Sequence, residues 1–148
     1  MTINRRSLMK AMFAVAAVVT FPARLWAARP DGAFKATSPE DVMNELFGTT
    51  PEASDAVNMK IPDIAENGAV VPVTVSADMA DVESISVIVD NNPTPLAASF
   101  EMSSRTPPSV SVRIKMGQSS NVQAVVKAGG KLYSTSKEVK VTIGGCGG

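Results

Sequence analysis

The residues best placed to do chemistry close the sequence: a single cysteine, Cys146, between two glycine pairs, Gly144-Gly145 and Gly147-Gly148. A thiol acts as a nucleophile or a redox centre through its thiolate, and a free thiol titrates near ~8.5 unless a cation, a helix N-terminus or a metal lowers it. The glycines offer none of these, and the Gly148 carboxylate two residues away disfavours a further negative charge. Activation is therefore expected from a partner. Glycine loses more freedom on ordering than any other residue, which predicts a mobile arm. Residues 144–148 extend at most roughly 17 Å. A stalk this thin suits the narrow cleft of another enzyme, so the thiol reads as a holder of cargo and not as a catalyst.

The rest of the composition narrows the chemistry further. There is no histidine, which excludes Ser-His-Asp and Cys-His nucleophiles, the usual mononuclear zinc sites and the haem attachment run. One cysteine forms no internal disulfide and no iron–sulfur cluster from this chain alone. Cysteine is most often buried, and an exposed thiol in an exported protein oxidises or pairs between chains. Two competing readings follow, an incidental thiol on a frayed tail and an intermolecular disulfide tether. A prenyl site is excluded because Cys146 stands third from the end, not fourth.

Arg5-Arg6 precede an apolar run from Ala11 to Phe21, and Leu25-Trp26-Ala27 offers a small residue for signal peptidase. The run is too short for a permanent transmembrane helix. The arginine pair resembles a twin-arginine export signal, although a general secretion signal shares the basic start and apolar middle. We therefore expect residues 1–27 to be a signal peptide, with no stable membrane anchor, and the product to be periplasmic. Residues 1–27 hold four of the 14 basic residues and no acid, leaving 10 basic against 14 acidic and a net charge of −4. An acidic domain without a basic stripe argues against nucleic acid as ligand.

The arm must be carried by something rigid. Residues 28–56 read as an extended lead-in and one short helix: Ser38 caps, Pro39 fits the first turn, Glu40 and Asp41 suit the dipole, and Gly48 stops it. Val42, Met43, Leu46 and Phe47 form its apolar stripe. Over 57–143 the period changes to two, with apolar residues alternating around Val57–Ile61, Val71–Val75, Ile85–Val89, Leu96–Phe100, Val110–Met116, Val122–Val126 and Val139–Ile143. Alternation puts one face of each strand on a core. Asn67-Gly68, Asp90-Asn91-Asn92-Pro93, Thr106-Pro107-Pro108, Gly117 and Gly129-Gly130 separate the runs, the last as a hairpin signal. The expected fold is all-β, an immunoglobulin-like sandwich of about seven strands. Pro72 lacks an N–H and prefers an edge or a bulge.

Other chemistry-bearing residues have plainer readings. Met43, Met59 and Met116 sit in apolar register, which favours core packing over a thioether copper site. Met79 and Met102 fall outside the clearest registers. Asp78, Asp81 and Glu83 cluster in a turn without the spacing of a calcium loop. Arg105, Arg113 and Lys115 read as solvated positions that could also face an anionic adduct or a partner.

The ending Val141-Thr142-Ile143-Gly144-Gly145-Cys146-Gly147-Gly148 resembles that of the SoxY family, the Y subunit of the Sox carrier of bacterial thiosulfate oxidation. Pro62-Asp63-Ile64-Ala65-Glu66-Asn67-Gly68, followed by Val70-Val71-Pro72-Val73, is similar to an internal segment of the same family, and the twin-arginine leader agrees. The resemblance implies a β-sandwich that is not an enzyme and needs no cofactor or metal of its own. It implies Cys146 as the point of covalent sulfur attachment and Gly144, Gly145, Gly147 and Gly148 as a flexible arm. The implied partners are a Z subunit, a c-type cytochrome complex that conjugates thiosulfate, a manganese-containing sulfate thiohydrolase, and a sulfur dehydrogenase or another sulfur-removal route. Two other classes compete: a ubiquitin-like carrier using Gly147-Gly148 as a thiocarboxylate, and an exported interaction domain with a disulfide-forming tail.

Overall fold

The computed structural model describes residues 30–142. The expected leader, residues 1–27, and the arm, residues 144–148 with Cys146, lie outside the described residues. In chain order the elements are helices α1 (Asp31–Lys35) and α2 (Pro39–Leu46), then strands β1 (Glu52–Ala53), β2 (Val57–Lys60), β3 (Ile64–Ala65), β4 (Val71–Ala77), β5 (Val82–Val89), β6 (Leu96–Glu101), β7 (Ser109–Ile114), β8 (Ser120–Ala128) and β9 (Lys131–Val141).

Two sheets face each other in an immunoglobulin-like sandwich. The larger runs β1-β9-β8-β5-β6, with β3 also pairing β9, and the smaller runs β2-β4-β7. Strict alternation on the facing strands builds the core: Val71, Val73 and Val75 of β4, Ile85, Val87 and Val89 of β5, and Val122, Ala124 and Val126 of β8 are all buried in one cluster. The intervening Ile88 and Val125 point the other way, as a period of two requires. With Leu96 and Leu132 they form a second cluster, covered by Ala33, Phe34, Val42, Met43, Leu46 and Phe47 of the helical segment. The architecture is therefore three layers, helices over the large sheet and the small sheet beneath it.

Helix α2 starts as its sequence dictates. The Asp41 N–H donates to Ser38 Oγ at 3.1 Å, Pro39 occupies the first turn, and Gly48 leaves the helix at φ +68°. Helix α1 corrects the expectation of an extended lead-in. Its five residues carry Asp31 in the first turn and Lys35 in the last, a favourable dipole arrangement. Burying Ala33 against the sheet supplies what so short a helix lacks by itself.

Among the described residues the sandwich expected from the sequence has nine strands, two of them short additions to the longer runs. The additions, β1 and β3, are two residues each and both run parallel to β9. A correction concerns β6. Leu96, Ala98 and Phe100 were expected on one face, but the register shifts between Val87 and Ile88, pairing Val87 with Ala98 and Ile88 with Leu96. Leu96 thus turns towards the helices and Ala97 packs on the sandwich core.

Pro72 sits in β4, the middle strand of its sheet. The Ala77 N–H donates towards the β7 side, to Pro108, and the Asp78 N–H towards the β2 side, to Ala56. By alternation the missing N–H of Pro72 faces the β2 side. Pairing with β2 ends at Lys60 opposite Thr74, so no ladder bond is lost there.

Candidate functional site: the root of the cysteine arm

The arm grows from the end of β9, and the structure fixes that end tightly. The Lys140 N–H donates to the Asp63 carbonyl at 2.9 Å and the Thr142 N–H to the Ala65 carbonyl at 3.1 Å. Between them, the Val141 N–H turns the other way and donates to Ser119 Oγ at 2.9 Å. Three successive amides are thus held from alternating sides, and backbone hydrogen bonding continues one residue beyond β9, to Thr142.

Ser119 belongs to a polar network that ties the loops of this end together. The Asn91 N–H donates to Ser120 Oγ at 2.9 Å, and Asn91 Nδ2 to the Ser119 carbonyl at 2.9 Å. Asn92 Nδ2 donates to the Lys115 carbonyl at 2.7 Å, and Asn92 Oδ1 accepts from the Gly117 N–H at 3.1 Å. Gln118 Nε2 donates to the Asn91 carbonyl at 3.2 Å. The stretch Asp90-Asn91-Asn92-Pro93, read from sequence as turn chemistry, therefore braces the loop that holds the end of β9.

Gly68 packs against the same strand end. Asn67 forms a local turn, its Oδ1 accepting from the Ala69 N–H at 2.9 Å. The Met116 N–H donates to the Gly68 carbonyl at 2.7 Å. A Cβ on Gly68 would collide with the Met116 carbonyl oxygen and lie 2.9 Å from Val141 Cγ1. Glycine is required here by the close approach of β9 and the end of β7, for which the sequence carries only a turn signal.

The surface around the root is mixed. Ile64 and Val70 are the exposed large hydrophobics among the described residues, at 56% and 49%. Lys137 Nζ bridges Asp63 at 2.8 Å and the Ile61 carbonyl at 3.1 Å. Asp90, accepting from Gln123 Nε2 at 2.9 Å, has its carboxyl pushed above the ordinary range by burial. The Gln123 hydrogen bond opposes that rise and the Glu40 charge adds to it.

Other residues singled out in the sequence lie elsewhere. Glu83 leaves its acidic neighbours to pair with Lys127 at 2.8 Å and to accept from the Gly130 N–H at 2.9 Å. The Lys127 hydrogen bond, then that of Gly130, hold its carboxyl below the ordinary value. Asp78 accepts from Asn58 Nδ2 at 3.1 Å, and no cluster of three or more metal-binding side chains occurs among the described residues. Met79 and Met102, without an assigned place in the sequence reading, pack against the sandwich core. They lie just outside strands, where periodicity carries no signal. Arg113 and Lys115 are exposed on the same end as the arm's root.

A family profile described as sulfur oxidation protein SoxY matches residues 43–146, ending on the cysteine. The chain belongs to the SoxY family. The sulfur carrier protein SoxY from Chlorobium limicola f thiosulfatophilum is 45% identical; the match covers 70% of this chain and 96% of that one, with a TM-score of 0.64. No curated protein sequence matches. A superoxide reductase (neelaredoxin) from Ignicoccus hospitalis superposes with a TM-score of 0.56 at 14% identity, covering 62% of this chain and 95% of that one, which shows a shared sandwich and nothing of its chemistry. Membership in SoxY puts this chain among the sulfur carriers of sulfur oxidation, which work with other Sox components.

Proposed function

We propose that the chain is the cysteine-bearing subunit of a periplasmic sulfur carrier, exported by the twin-arginine route through residues 1–27, with cargo bound covalently to Cys146. The observation that carries this reading is the placement of the only cysteine between two glycine pairs, directly beyond a strand whose last amides are pinned. A firm root and a jointed arm let one thiol visit several active sites, and the arm supplies reach without supplying catalysis.

The chemistry is one of loading and unloading. The Cys146 thiol and thiosulfate join through a new S–S bond. One proton leaves, and two electrons pass to a c-type cytochrome complex, giving a Cys–S–S–sulfonate. A manganese-containing hydrolase then adds water across the terminal S–S bond, releasing sulfate and two protons and leaving a persulfide anion on Cys146. A sulfur dehydrogenase, or another removal route, takes the remaining sulfur. A Z-type β-sandwich subunit is the expected partner in a heterodimer, and the exposed Ile64 and Val70 beside the root suit an apolar contact.

The test is an intact mass of the protein isolated from the periplasm without reductant. A reductant-sensitive mass excess matching sulfur or thiosulfate, mapped to Cys146 and lost in Cys146→Ser, is the expected result. An unmodified thiol after supply of thiosulfate and the matching cytochrome complex overturns the proposal. Retained activity in Cys146→Ser would point to a thiocarboxylate at the terminal glycines instead.

A further inference from the structure

Beside the arm's root, the open side of the sandwich holds a cleft of about 550 Å³ between the β5–β6 connection and the end of β7. Pro93 and Ala97 give it apolar surface, Thr94 adds a hydroxyl, Arg113 and Lys115 contribute two cations, and no carboxylate lines it. Neither cationic side chain has a hydrogen-bond or ion-pair partner among the described residues. Unpaired cations around a partly apolar cleft stand out where residues 28–148 carry a net charge of −4. Asn92 spends both ends of its amide on Lys115 and Gly117, so this wall is braced from within.

The cleft is close to the end of β9. Met116, next to Lys115, and Val141, the last residue of β9, both press on Gly68. From Thr142, residues 143–146 extend at most roughly 13–14 Å, and the strand end is separated from Lys115 only by the Val141–Gly68–Met116 contact.

We infer that this cleft is a resting dock for the arm when Cys146 carries an anionic sulfur group. The sulfonate end pairs with Arg113 and Lys115, and the sulfane sulfur lies over Ala97, shielded from passing thiols. The inference rests on the carrier reading and adds selectivity by charge: the unloaded thiol presents no anion to hold.

The test loads the full chain chemically. The Cys146 thiolate attacks a central sulfur of tetrathionate; a new S–S bond forms, thiosulfate leaves, and the arm carries –S–S–sulfonate, verified by intact mass. Release of the adduct by dithiothreitol is then timed at low salt in the wild type and in Arg113→Gln/Lys115→Gln. Both side chains are exposed, so the variant keeps its fold, checked by its melting temperature; each single substitution is timed in the same way. The dock predicts loss about three- to tenfold faster in the double variant. It also predicts collapse of that difference at 1 M salt, where screening acts within about 3 Å, and equal alkylation of the unloaded thiol by iodoacetamide. Equal or slower loss in the variant overturns the dock; slower loss would mean the cations merely attract the attacking thiolate. Chemical loading bypasses the partner enzymes, so that result counts against the dock alone, while the carrier reading stands or falls on the adduct found in the periplasm.

Discussion

Replacing Gly68 with alanine tests whether the arm's root is as closely packed as its geometry indicates. The added Cβ meets the Met116 carbonyl oxygen, a backbone atom, and comes within 2.9 Å of Val141 Cγ1. Neither yields cheaply. Met116 is 2% exposed and bonded to the Gly68 carbonyl at 2.7 Å, and Val141 is held by Ser119. Forcing a methyl into such a contact costs about 1–3 kcal/mol. Loss of chain freedom in the unfolded state returns about 0.4–1 kcal/mol. The net is a destabilisation of about 1–2 kcal/mol. For a domain of this size that lowers the melting temperature by about 4–8 °C. The assay is a thermal melt of both proteins side by side, with Gly117→Ala as control. At Gly117 a Cβ meets nothing nearer than Asn92 Oδ1 at 4.0 Å, and its melt should not fall. A Gly68→Ala protein melting within a degree of the wild type refutes the argument that glycine is required there by contact.

Three further outcomes are expected. Ser119→Ala removes the acceptor of the Val141 N–H; because water reaches this site, the cost is about 0.5–1 kcal/mol, and hydrogen exchange should show faster loss of protection at Val141 than at Val126. Ile88→Ala opens a void under the helices, since Ile88 is fully buried in their cluster; denaturant unfolding should register about 2–5 kcal/mol. Asp90→Asn bears on pH: burial raises the Asp90 pKa above its ordinary 3.8. The folded state therefore binds the proton more tightly than the unfolded chain, and the stability this contributes is present below that ordinary value and lost as pH rises through the raised one. The variant should gain on the wild type in urea midpoint between about pH 3 and pH 7, and an unchanged difference would contradict the burial of that carboxyl.

Much of the scaffold was legible in the residues. Strands that are buried on one face along their length, β4 above all, show a clean period of two, and helix α2 carries its cap, proline and stop glycine. What escaped has no period to read. The two-residue strands β1 and β3 have nothing to alternate, and α1 looks extended until Ala33 finds the sheet. The fault in β6 arises from a register shift with β5 that no local spacing announces. Met79 and Met102 are core residues by tertiary contact alone.

The cysteine, its flanking glycines and the absence of histidine are properties of the sequence itself, because residue type and spacing need no neighbours to be read. Only the tertiary structure decided what the arm stands on. The strand that bears it is bonded to Asp63, Ala65 and Ser119, and Gly68 lies pinched between Met116 and Val141. These contacts join residues far apart in the chain, and proximity of that kind arises only when the two sheets close on their shared core.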